Sequence, residues 1–158
     1  SITYMPEFEK NGVYQLRVQA RDASDNLSGI NDYQIEFQII NESTITNIFN
    51  YPNPFSTSTR FVFTLTGNQI PDEFNIDIYT ISGKLVRRIE MSELGPVYVG
   101  KNITEFAWDG TDEYGDRLAN GVYLYKVTIR INGEKIDLRN TGADGFFKKG
   151  WGKMYLMR

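Results

Sequence analysis

Residues 108–125 read Trp-Asp-Gly-Thr-Asp-Glu-Tyr-Gly-Asp-Arg-Leu-Ala-Asn-Gly-Val-Tyr-Leu-Tyr. A tryptophan closes one strand, a loop dense in Asp and Gly follows, and Asn-Gly launches a strand that alternates apolar and polar. Asn-Gly-Val-Tyr occurs again at residues 11–14. The chain therefore opens a similar strand twice, which points to two related β-modules rather than to one enzyme.

Composition agrees. Ten Tyr and ten Phe among 158 residues suit strands, where aromatic and β-branched side chains pack on a pleated surface. Fourteen Gly and five Pro supply frequent turns. No apolar run approaches the ~20 residues that span a bilayer, so direct membrane insertion is not expected. No signal-peptide pattern opens the chain. The strand pattern is already under way near Ser1, which reads as a piece of something longer. With neither Cys nor His, the chain offers no disulfide, no thiolate metal site, no cysteine nucleophile and no histidine base. Carboxylate pairs such as Asp72/Glu73 and Asp112/Glu113 lack a group opposite them, so catalysis is not expected.

Charge is uneven. The whole chain carries −3, but residues 139–158 carry +4 and the remainder −7. A basic terminus on an acidic body is either a binding tail or a solubilising end. The basic set is too small to suggest nucleic acid.

Period-two alternation recurs along the chain. Tyr14, Leu16, Val18 and Ala20 share one face of a strand over 13–20, and Tyr33, Ile35, Phe37 and Ile39 one over 33–40. These two strands look like the last hairpin of a sandwich. A polar connector over 41–46 puts a boundary there, giving segments 1–41 and 42–158. Two prolines in Tyr51-Pro-Asn-Pro-Phe55 predict an edge strand that breaks away at Pro52, with Phe55 folding back onto the core. Further strands are expected over 59–66, 74–80, 85–90, 103–108, 122–131, 135–139 and 153–157, with loops over 91–102 and 141–150. No segment shows a sustained helical period. The expected fold is all-β: an immunoglobulin-like antiparallel sandwich of about seven strands, with closure into a small barrel as the alternative, preceded by the terminal hairpin of another such domain.

Asp109, Asp112, Glu113 and Asp116 form an acidic loop. Turn chemistry explains it, and calcium at Asp109, Asp112 and Asp116 is the alternative. No cofactor is expected. Tyr14 and Tyr123, each following Asn-Gly-Val, fit tyrosines whose hydroxyl bonds back to the backbone at a corner. Trp108 reads as a core anchor. Trp151, between Gly150 and Gly152 on the basic tail, fits an interface anchor or a residue closing the sandwich equally well.

The ordered set Tyr51-Pro52-Asn53-Pro54-Phe55, a strand pair around Gly83, Trp108-Asp109-Gly110, Gly115, Gly121-Val-Tyr123 and Lys149-Gly-Trp-Gly-Lys-Met-Tyr-Leu-Met-Arg158 resembles the C-terminal sorting domain carried by cargo of the Bacteroidetes type IX secretion system. The middle part is also similar to the immunoglobulin-like domain of the flagellar hook-capping protein. The connector and sorting region most resemble the end of large gingipain-like cysteine peptidases. The resemblance implies a non-catalytic secretion signal. Its passenger would cross the periplasm, pass the outer-membrane translocon and reach the cell surface. The implied partners are that translocon, shuttle proteins and sortase or attachment proteins. Recognition would use an open edge strand for strand addition plus the tail. Lys148, Lys149, Lys153 and Arg158 would steer, Trp151, Tyr155 and Leu156 would anchor, and Gly150 and Gly152 complete the tail motif. Deleting 150–158 is expected to spare the fold. The alternative is an adhesive or spacer module of a surface protein that works through its loops.

Overall fold

The structure, a computed structural model, describes residues 3, 5–8, 10–19, 24, 33–136, 138 and 149–158. It divides into two compact units, Ser1–Glu42 and Ser43–Arg158. Among the described residues no helix is long and apolar enough to cross a membrane.

The first unit is a hairpin of β1 (Gly12–Val18) and β2 (Tyr33–Ile39), antiparallel with Tyr14 opposite Phe37 and Leu16 opposite Ile35. Phe8, Tyr14 and Phe37 form an aromatic cluster, with ring centroids 4.6, 5.5 and 6.1 Å apart. The shared face is as expected, but it is not a buried one along its length. Leu16, Val18, Tyr33 and Ile35 are exposed, because a two-stranded sheet has no second layer of its own to cover them. Ala20 and the expected loop at 21–30, Ser24 apart, lie outside the described residues.

The second unit is a sandwich. One sheet runs β3 (Thr44–Tyr51), β4 (Arg60–Thr66), β7 (Gly100–Ile103). The other runs β10 (Trp151–Leu156), β8 (Gly121–Ile131), β5 (Glu73–Thr80), β6 (Leu85–Ile89), with the two-residue β9 (Glu134–Lys135) also on β8. All these strand pairings are antiparallel. Between the sheets lie Phe61, Phe63 and Leu65 of β4, Phe74, Ile76 and Ile78 of β5, and Tyr123, Tyr125, Val127 and Ile129 of β8. Along β4, β5 and β8 every second residue faces inward, the period-two reading made physical.

Several local expectations change. β3 starts at Thr44, inside the expected connector, since Ile45 is a core residue. The expected loop at 91–102 holds a one-turn helix α1 (Met91–Leu94) and β7. The Glu90 amide donates to the Glu93 carboxylate at 3.0 Å, which caps that turn. The strand expected over 103–108 stops at Ile103 instead. There the Thr104 hydroxyl accepts the Phe61 amide at 3.0 Å and donates to the Phe106 carbonyl at 2.8 Å, so the ladder is interrupted by a side chain. Trp108 rejoins as a single bridge to Thr59. Among the described residues of the return strand expected over 135–139, ladder pairing is seen only at Lys135, in β9. Asp137 and residues 139–148, with the expected Phe146/Phe147 loop and Lys148, lie outside the described residues.

Candidate recognition site around the terminal strand

β10 is a core strand rather than a tail appended to a finished sandwich. Gly152, Met154 and Leu156 face inward, and Met154 and Leu156 are wholly buried. Gly152 is obligatory for packing. A Cβ there would stand 1.9 Å from Cζ of Tyr125, so the ring occupies the space of a side chain. Two expectations fall with this. Leu156 cannot anchor a partner on the folded surface. Deleting 150–158 would strip β8 of a neighbour and the core of two apolar side chains, each costing about 2–5 kcal/mol when truncated to Ala.

The free edge of β10 is open only in part. In its ladder with β8 the peptide groups of Trp151, Lys153 and Tyr155 alternate outward. Tyr51–Phe55 lies along that edge as a clasp. The Asn53 amide donates to the Lys153 carbonyl at 3.0 Å and its carbonyl oxygen accepts the Tyr155 amide at 3.0 Å. The Phe55 amide donates to the Tyr155 carbonyl at 3.0 Å, and the Phe55 carbonyl accepts the Met157 amide at 2.8 Å. From the Lys153 carbonyl to Met157 the edge is thus closed to strand addition, which narrows that expectation to the Trp151 end. Pro52 and Pro54 keep the segment out of the β3 ladder, freeing it for this role. The Pro52 carbonyl accepts the Thr59 hydroxyl at 2.8 Å. Phe55 is buried, its ring 5.5 Å from that of Trp108.

The acidic loop meets the other end of the strand. The Asn120 side chain exchanges two hydrogen bonds of 2.9 Å with the Arg158 backbone. The Arg158 guanidinium donates to the carbonyls of Asp109, Gly110 and Leu118. It is therefore committed to the loop rather than free to steer a partner. Gly110 has φ +76°, and a Cβ there would meet Leu156 Cδ2 at 2.9 Å, so glycine is required twice over. Trp108 is buried, its indole N–H donating to the Thr111 carbonyl at 2.8 Å, as a core anchor should be. Gly83 and Gly115 sit in turns whose amides reach Thr80 and Asp112 carbonyls.

The loop carboxylates are engaged locally. Asp109 accepts the Thr111 hydroxyl at 2.7 Å and amide at 3.1 Å; Asp112 accepts the Tyr114 and Asp116 amides, both at 2.9 Å. The Thr111 hydroxyl, more than any other group, holds the Asp109 carboxyl below its ordinary range. Among the described residues no group of three or more metal-ligating side chains is assembled. Glu113 does something else. Its amide donates to the Val86 carbonyl at 3.0 Å and its carboxylate accepts the Arg88 amide at 2.6 Å, which covers the free edge of β6.

Gly121 opens β8, and the Tyr123 hydroxyl donates to the Ala119 carbonyl at 2.7 Å. Burial raises that phenol above its ordinary pKa. On the outer face, Trp151, Lys153 and Tyr155 remain accessible, and Lys149 is exposed just before them. Alternation alone does not say which residues of β8 and β5 stand beside β10 on that face. The Tyr79 ring stands 5.3 Å from Trp151, and Lys126 Nζ 5.4 Å from it. The signal was present in the outward alternation of Val122, Leu124 and Lys126, but the register with β10 was not readable.

A family model, described as the FlgD Ig-like domain, matches residues 51–133, just over half of the chain. The chain belongs to the FlgD Ig-like domain family. This is the family of the type A sorting domains that its motifs resemble, and it is non-catalytic. None of the curated proteins matches the chain. In structure the FlgD-like chain resembles part of the protein described as dimeric latent PorU from Porphyromonas gingivalis, with a TM-score of 0.54 and 20% identity. The match covers 94% of this chain and 12% of that one, so the chain spans a small part of PorU's length. At that identity the likeness is one of fold alone.

Proposed function

We propose that this chain is the sorting domain of a type IX secretion cargo, with residues 1–41 the end of an upstream immunoglobulin-like domain and 42–158 the signal. One observation carries the reading. The motif residues shared with sorting domains are scattered over a hundred positions, yet most of them gather around the terminal strand: Asn53 and Phe55 along its edge, Asp109 and Gly110 at its end, Gly121 and Tyr123 opposite Leu156 and Met154; Gly83 and Gly115 shape turns elsewhere. Building and holding β10 is thus what most of the motif set has in common. The folded domain would present the outer face of β10, with Lys149, Trp151, Lys153 and Tyr155, to translocon, shuttle or attachment proteins of the outer membrane. The passenger would then pass from periplasm to cell surface. An adhesive or spacer role would lean on the Asp109–Asp116 loop, whose Asp109 and Asp112 carboxylates serve its own amides.

The test is a reporter fused ahead of the complete chain in a type IX-competent cell and in one lacking the translocon. The reporter is expected outside the first and in the periplasm of the second. Retention in both, or release from both, overturns the reading. Deleting 150–158 is a poor test, because unfolding and loss of signal coincide.

A further inference from the structure

We propose that the solvent face of the larger sheet around Trp151, spanning β10, β8, β5 and β6 and not the terminal strand alone, docks a protein partner whose surface is acidic around an apolar centre. This rests on the sorting-domain reading and gives that site a partner chemistry. The register aligns residues from four strands in transverse rows. Trp151 lies opposite Lys126, Lys126 opposite Asp77 and Asp77 opposite Arg88. Beside it Lys153 lies opposite Leu124, Leu124 opposite Tyr79 and Tyr79 opposite Leu85; Tyr155 opposite Val122 begins a third row. Directly opposed side chains stand about 5 Å apart, so the rows form one continuous surface.

That surface reverses the usual pattern of a wetted sheet, which shows polar residues to water. Its centre is aromatic and aliphatic, with Tyr79 against Trp151 and with Leu124 and Val122 half-buried. Trp151 is 37% exposed and Leu85 41%. Two lysines ride on the rings: Lys126 Nζ over Trp151 at 5.4 Å and Lys153 Nζ over Tyr155 at 5.0 Å.

Charge selects the partner. Among the described residues, Lys126, Lys149 and Lys153 have no ion pair. The one acid in these rows, Asp77, is buried and held by the Arg88 guanidinium at 2.6 and 3.1 Å. The face is therefore locally positive on a molecule of net charge −3. A face spread over several strands suits a protein surface better than a small ligand, whose sites are concave. Three lysines fall short of the long basic stripe that tracks a nucleic-acid backbone. Ringed aromatics with cationic neighbours are the composition of an interface core with charged steering groups.

The complete chain is titrated with a random copolymer of glutamate and tyrosine, and in parallel with a single-stranded oligonucleotide and with dextran sulfate. Trp151 provides the fluorescence change, since the other tryptophan, Trp108, is buried. The copolymer is expected to bind saturably, more tightly than the other two, and less tightly as salt rises. Lys126→Gln with Lys153→Gln should weaken it about tenfold, while Lys126→Arg with Lys153→Arg restores it. No copolymer binding, equal binding by the Gln variant with unchanged thermal unfolding, or tighter binding of either other polyanion overturns the proposal. A reporter that is secreted by a chain failing this titration removes the docking face and leaves the sorting role standing. A reporter that is not secreted removes the sorting role whatever the titration gives.

Discussion

The two Asn-Gly-Val-Tyr segments start alike and end differently. In each, the tyrosine hydroxyl reaches the carbonyl four residues back: Tyr14 to Lys10 at 3.0 Å, Tyr123 to Ala119 at 2.7 Å. Beyond that corner they diverge. β8 lies between β10 and β5 under a second sheet, and its Tyr123, Tyr125 and Val127 are buried. β1 has β2 as its only ladder partner among the described residues, and its Leu16 and Val18, the equivalents of Tyr125 and Val127, are exposed. Four residues suffice to build a turn and a corner. Burial is conferred by what the rest of the chain brings alongside.

The largest effect expected from this contrast separates equivalent inward positions. Tyr125→Ala should cost about 4 kcal/mol in urea unfolding, whereas Leu16→Ala should stay within about 0.5 kcal/mol. Gly152→Ala comes next, at about 3 kcal/mol, because its Cβ collides with the Tyr125 ring that β1 has no counterpart for. Asn53→Ala severs both side-chain bonds to β10 and should cost about 2 kcal/mol, with faster hydrogen exchange at the Tyr155 amide. Tyr123→Phe should cost about 1 kcal/mol, since it removes a part-buried hydrogen bond; Tyr14→Phe, whose bond is exposed to water, should cost a few tenths. Smallest is the titration of Asp109. Its folded pKa lies below the unfolded value, so its contribution is present above about pH 4 and is lost as pH falls through the folded pKa. Thr111→Val should raise that pKa toward the ordinary value, as read by NMR titration of the carboxyl.

Much of the sandwich was legible because one-sided burial writes itself as alternation. Tyr123, Tyr125, Val127 and Ile129 could hardly be arranged otherwise. The one-turn helix was not legible, since four residues contain no period. Neither was the end of β7, where the Thr104 hydroxyl replaces a ladder bond that sequence alone would extend. In the candidate site, Trp151, Lys153 and Tyr155 stood out by type, but Leu156 was misplaced. Alternation sets it on the face opposite Lys153 and Tyr155, and pairing with β8 shows that its side is the buried one.

By itself the sequence determined the strand pattern, the turns, the order of the family motifs and the absence of Cys and His chemistry. These follow from local backbone preference and from which residue types are present at all. Tertiary structure decided that Tyr51–Phe55 closes part of the edge of a strand a hundred residues away, that Arg158 is tied to the acidic loop, and that Lys126 and Tyr79 share a surface with Trp151. Those facts depend on register between distant strands. A shift of one residue would turn every side chain to the other face, and register is set by how the two sheets fill their common core.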